Sequence, residues 1–180
     1  MKRYWELFLR MGIPYGLGMG LLYAIKHRSA KAGLTAAIVM GSAFGILMSA
    51  FGESLQRRAV RRRVSQLTES ALSVRQCRSL VVPLSYEAAF ALGRSSLEVL
   101  GRCTIQQEDL SGGIIRVKTG MRWKSFGERI TVTVRSLSGE STEIALHSQP
   151  ILSTVMIDFG QNFDNIAKMA DFLTSRGVRT

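Results

Sequence analysis

A chain of 180 residues with net charge +11 and 46% hydrophobic residues suits one modest domain plus an accessory segment, and the positive charge first suggests nucleic acid. Its distribution argues against that: residues 1–78 hold 13 Lys/Arg and three acids, whereas residues 79–180 hold 11 and ten, so nearly all the excess belongs to the more apolar N-terminal part. The two cysteines, Cys77 and Cys103, have neither metal-site nor redox-pair spacing and read as reduced thiols of a cytoplasmic domain.

The first apolar run is MGIPYGLGMGLLYAI, residues 11–25. Extended back to Leu7 it reaches spanning length and includes Arg10, which can snorkel to headgroups, with Tyr4 and Trp5 at interfacial depth. Pro14 lies near its start, where a kink is expected. A cleaved signal peptide is the competing reading; the glycine content and the span that follows at once oppose it. Residues 33–52, GLTAAIVMGSAFGILMSAFG, carry no charge and match the hydrocarbon core in length. The link KHRSAK, residues 26–31, implies an antiparallel transmembrane hairpin over about residues 7–25 and 33–52. If the first run does not cross, one span remains and the termini lie on opposite sides.

Gly12, Gly16 and Gly20, and Gly41 with Gly45, recur at every fourth position. That spacing makes flat helix faces for close packing, within the hairpin or between subunits. Beyond the second run comes RRAVRRR, with Arg57, Arg58, Arg61, Arg62 and Arg63. Together with Lys2, Arg3 and Arg10 these outnumber the loop cations Lys26, Arg28 and Lys31, so both termini are expected in the cytoplasm, with the arginines against an anionic inner leaflet. An acidic partner protein and nucleic acid are the other readings of the cluster. Val60, Val64, Leu67, Ala71 and Val74 follow a heptad seam and predict a basic helical stalk over residues 53–78.

From about residue 79 the pattern changes to that of an α+β domain, residues 79–180. RSLVVPL reads as a strand ending at Pro83, and Ser85 caps a helix over Tyr86–Leu100 with Ala89, Phe90, Leu97 and Leu100 on one face, closed by Gly101. CTIQQEDL and IIRVKTG form a hairpin about SGG. ERITVTVRSL alternates, with Ile130, Val132 and Val134 on one side, and TEIALHSQ follows the turn SGES. Residues from Asn162 to Leu173 form a last helix with Ile166, Met169, Ala170 and Leu173 inward. The order β-α-β-β-β-β-α predicts an antiparallel sheet with helices on one face.

The segments SYEAAF, GGIIRVKTG, WKSFGERI and DFGQNFDNI, spanning roughly residues 80–173, together resemble a domain of small, uncharacterised bacterial membrane-anchored proteins. The Asp158-Phe-Gly160-Gln-Asn162 spacing is similar to that of other bacterial α+β domains. The resemblance implies a fold and a bacterial setting, and no catalytic residue.

The sequence shows no P-loop, nucleophile elbow or dinucleotide fingerprint. His147 stands alone in a strand, and Asp158, Asp164 and Asp171 lack a ligand-loop spacing, so no catalytic residue, metal or cofactor is assigned. Arg122, Trp123, Lys124 and Phe126 combine cations with aromatics, and with Asp158 and Asn162 they are the expected partner or ligand surface; core packing of Trp123 and a capping turn at Asp158 are the plainer readings. The expected function is a non-enzymatic membrane-anchored subunit or adaptor of an oligomeric inner-membrane complex. Its partners are lipids and a homo- or hetero-oligomeric protein. The alternatives are a tethered module for lipid or an apolar small ligand and, last, an enzyme using Asp158 or His147.

Overall fold

The structure is a computed structural model that describes residues 2–62, 68–121 and 125–177. It divides into two compact units, residues 1–58 and 59–180.

The first unit is two helices, α1 (Lys2–His27) and the greater part of α2 (Ala30–Arg61). α1 runs through Pro14 unbroken. Tyr4–His27 and Ala30–Arg61 are each long and apolar enough to cross a membrane. The connection is shorter than KHRSAK suggests: only Arg28 and Ser29 lie outside helix. Arg28 takes a left-handed φ of 49°, and the Ser29 hydroxyl accepts from the Ala32 amide at 3.3 Å, opening α2 as an N-cap does.

The second unit begins with the last turn of α2. The predicted stalk ends there. α2 stops at Arg61, and residues 69–72 form turns, so Ala71 and Val74 are not on a helix seam; Arg63, Val64 and Leu67 lie outside the described residues. The physical reason is local competition for backbone groups. The Thr68 hydroxyl accepts from the Ala71 amide at 3.2 Å, and the buried Gln76 amide donates to the carbonyls of Ser70, Ala71 and Ser73 at 2.9, 3.2 and 2.6 Å. Ala71 and Leu72 pack with Val60 and Phe163 in a small cluster.

The elements that follow are β1 (Gln76–Val82), α3 (Tyr86–Ser95), a 3₁₀ turn (Ser96–Leu100), β2 (Cys103–Asp109), β3 (Ile114–Thr119), β4 (Glu128–Ser138), β5 (Ser141–Pro150) and α4 (Gln161–Gly177). The helix expected over Tyr86–Leu100 thus tightens in its last five residues. Ser85 caps it, accepting from the Ala88 amide, and Gly101 leaves it at φ 78°. All strand pairings are antiparallel, in the order β1-β5-β4-β3-β2. β2 to β5 form the predicted meander, and β1 lies beside β5 as the opposite edge.

Period-two alternation sends Ile115, Val117, Ile130, Val132, Val134, Ile144 and Leu146 to one face. There they meet Ala89, Phe90, Leu97 and Leu100, and Ile166, Met169, Ala170 and Leu173 of α4. The architecture is the expected α+β layer: helices on one face of an antiparallel sheet, the other face open. α3 lies close to β4, since a Cβ on Gly93 would come within 3.1 Å of Val132. Asp109 holds the β2–β3 turn, accepting from the Gly112 amide and the Ser111 hydroxyl at 2.9 and 2.7 Å, and these bonds lower its pKa.

Candidate functional site

In the first unit the predicted glycine strips are an interface within the hairpin. A Cβ on Gly12 would lie 2.8 Å from the Gly41 carbonyl oxygen, and one on Gly16 would lie 2.6 Å from that of Ala37. Gly20 faces Ala37 and Gly33, and Gly45 faces the Phe8 ring. Partners descend along α2 as α1 ascends, so the helices are antiparallel, with backbone nearly touching backbone. Tyr15 and Phe44 stack at 4.1 Å between centroids. The other sides carry exposed Leu17, Leu21, Leu22 and Ile25 on α1 and Leu34, Ile38, Val39 and Leu47 on α2. Arg57, Arg58, Arg61 and Arg62 are exposed near the end of α2, and Arg63 lies outside the described residues. Arg57 pairs with Glu53 one turn back at 2.6 Å, a helix-surface contact of small energetic weight.

In the second unit the predicted contact surface divides. Phe126 is exposed, while Arg122, Trp123 and Lys124 lie outside the described residues. Asp158 and Asn162, expected to offer a surface, are 3% and 0% exposed, so neither can present itself to a partner. They form the turn that opens α4. Phe159 and Gly160 take positive φ, 53° and 72°, which folds the chain back so that the Asp158 carboxylate accepts from the amides of Gly160 (3.2 Å) and Asn162 (2.9 Å) and from the Asn162 side chain (2.8 Å). Asn162 in turn accepts from the Ser148 hydroxyl at 2.7 Å, and Asn165 donates to Ser148 at 3.4 Å. This network pins the start of α4 to β5 on the inner face of the sheet.

A second polar group lies at the same end of that face. Glu128 is 1% exposed at the first residue of β4. Gly127, at φ 90°, brings the chain past the Thr119 carbonyl, where a Cβ would be 2.8 Å away. The Glu128 amide then donates to the Thr119 hydroxyl at 2.8 Å, and that hydroxyl donates to Glu128 Oε2. Oε1 has no hydrogen-bond partner among the described residues. Sequence reasoning passed over Glu128, Thr119 and Ser148, yet each shares strand parity with core residues: Glu128 with Ile130, Thr119 with Val117, Ser148 with Leu146. Polar residues at inward positions were the available signal. Glu128→Gln keeps the shape and the acceptor for Thr119 while replacing a buried ionisable group with a neutral one. The expected result in chemical denaturation is a gain of roughly 1 kcal/mol; a loss beyond about 2 kcal/mol would show that the carboxylate itself is needed.

His147 lies on the open face of β5, opposite Cys77 and Thr131. Partial burial, then the charge of Arg75, lowers its pKa from the ordinary 6.5. The unfolded chain therefore takes up the proton first as pH falls. His147 contributes stability above about pH 6.5 that is lost as pH drops toward its folded value. The midpoint of wild-type unfolding should fall between about pH 7 and pH 5, and His147→Gln should reduce that fall. An equal fall in both proteins would assign the effect to other groups.

Among the described residues no three His, Cys, Asp or Glu side chains gather as a metal site. No family model and no curated protein matches the chain. Among solved structures, an NMR structure of a protein from Thermobifida fusca superposes with a TM-score of 0.40 at 9% identity, covering 58% of this chain and 87% of that one. The crystal structure of Ara h 8.0201 superposes with a TM-score of 0.26 at 8% identity, covering 56% of this chain and 97% of that one. Neither likeness is close enough to carry a function across.

Proposed function

We propose that this protein is a non-enzymatic, membrane-anchored subunit or adaptor of an oligomeric bacterial inner-membrane complex, with its α+β unit in the cytoplasm binding a partner protein. One observation carries the reading. α1 and α2 meet through glycine and alanine, which leaves Leu17, Leu21, Leu22, Leu34, Ile38 and Leu47 pointing outward. So much exposed apolar surface on one hairpin calls for lipid or protein around it. The exposed arginines after the second span favour the cytoplasmic side for both termini, where anionic lipids attract them. The helix-facing side of the sheet is occupied by packed side chains of α3 and α4, which gives the apolar-ligand alternative less support.

The test is the mass of the intact protein in nanodiscs, with copurifying chains identified and the accessibility of Cys77 to a membrane-impermeant thiol reagent measured in cells. The expected result is a mass above that of the 19.9 kDa chain alone and a Cys77 labelled only after the inner membrane is opened. A lone monomer with no copurifying chain would remove the subunit reading. Extraction without detergent would remove the anchor.

A further inference from the structure

The open face of the sheet carries an arrangement that folding alone does not favour. Lys118 of β3 lies directly opposite Arg129 of β4, in the pair nearest the β3–β4 loop. Like charges directly opposed across a ladder destabilise it. Their other cross-strand neighbours are neutral, Thr104 beside Lys118 and Gln149 beside Arg129. Arg116, two residues along, donates to Gln107 at 2.8 Å. Two acids of this face are already engaged: Glu143 pairs with Arg135 at 3.2 Å, and Asp109 is held in its turn. Neither Lys118 nor Arg129 has an ion-pair partner among the described residues.

The loop beyond this pair adds an independent feature. Met121 is 77% and Phe126 63% exposed, one just after Lys118 and Thr119, the other just before Gly127 and Glu128. Two large exposed apolar side chains, one on each side of the loop and close in sequence to cations that lack an ion-pair partner among the described residues, match an anionic phospholipid surface. Phosphates neutralise the cations, and the side chains of Met121 and Phe126 enter the boundary between headgroups and acyl chains. Nucleic acid fits less well. The paired open-face positions of β3 to β5 hold Arg, Lys, Thr, Gln, His, Ala, Ile and Glu, so the half-buried His147 is the one ring there and no Phe, Tyr or Trp row offers a platform for successive bases.

We propose that this end of the sheet is a second membrane-contact site, in which Lys118, Arg129 and Arg116 bind anionic lipid headgroups and Met121 and Phe126 insert at the interface. The proposal rests on the membrane-anchoring reading. Tethering by the apolar helices would hold the domain at a high local concentration of headgroups, so even weak contacts would be occupied.

The experiment uses the full chain with Cys77→Ser, Cys103→Ser and Phe126→Cys, labelled at position 126 with an environment-sensitive fluorophore. It is reconstituted in nanodiscs of phosphatidylcholine alone or with about a third phosphatidylglycerol. The expected result is a blue shift of the probe with phosphatidylglycerol, reversed by high salt. Lys118→Glu places a carboxylate opposite Arg129, so it should raise the melting temperature while weakening the lipid response by about tenfold or more. A stabilised variant that has lost the response excludes misfolding as the cause. Failure to enter nanodiscs at all would overturn the anchor together with this site. Normal incorporation with a probe that stays aqueous in both lipids would overturn this site alone. So would an undiminished shift in Lys118→Glu, or a shift produced only by added oligonucleotide or polyglutamate.

Discussion

Replacing Gly16 or Gly41 with valine should separate α1 from α2 and lower the stability of the hairpin by about 1–3 kcal/mol per site, whereas Gly18→Val should change little. A Cβ at Gly16 would sit 2.6 Å from the Ala37 carbonyl oxygen and 3.0 Å from Gly41 Cα; one at Gly41 would sit 2.9 Å from the Gly12 oxygen and from Gly16 Cα. Every opposing atom is backbone, so no rotamer change relieves the clash and the helix axes must move apart. The movement also removes dispersion contacts along the whole seam, the main source of helix association where lipid surrounds both partners. Gly18 has nothing within 4 Å. Distances between spin labels on the two helices, with thermal unfolding in detergent, read the effect. If Gly16→Val and Gly18→Val behave alike, the glycine face is not the contact between these helices.

Asp158→Ala should cost the α+β unit about 4 kcal/mol, a large share of the stability of an ordinary domain. The substitution takes the carboxylate away from the amides of Gly160 and Asn162 and from the Asn162 side-chain donor, and Asn162 is fully buried. It also frees Asn162, and with it the bond from Ser148 that ties α4 to β5. Asp164, one turn into the same helix, pairs with Lys168 at 2.7 Å on a partly exposed surface, so Asp164→Ala should cost no more than about 1 kcal/mol. Denaturation of the full chain, with hydrogen exchange at Gly160 and Asn162, measures both. Equal costs for the two aspartates would mean that the turn does not hold the helix.

Legibility in the sequence followed the range of the interactions concerned. Ile130, Val132 and Val134 could be assigned to the core from alternation, and Ile166, Met169, Ala170 and Leu173 from helical spacing, because each pattern is written in consecutive residues. The heptad seam after the second apolar run misled for a related reason. Val60 fits it and is buried, but hydroxyls at Thr68 and Ser73 and the amide of Gln76 take the backbone bonds that a continuing helix would need. At Asp158 and Asn162 the capping role could be read from residue type. Their burial could not, because it comes from Ser148 in a different strand.

By itself the sequence determined the two long apolar helices, the glycine spacing along them, the gradient of basic charge and the α+β order of elements, since all are properties of neighbours along the chain. Only the tertiary structure decided that the glycines of α1 face those of α2, that β1 joins the sheet beside β5, that Glu128 is buried with one unpartnered oxygen, and that Lys118 meets Arg129 across a ladder. Each of these depends on which distant residues become partners. That choice is made by the packing of whole faces and the register it imposes, and local pattern carries no record of it.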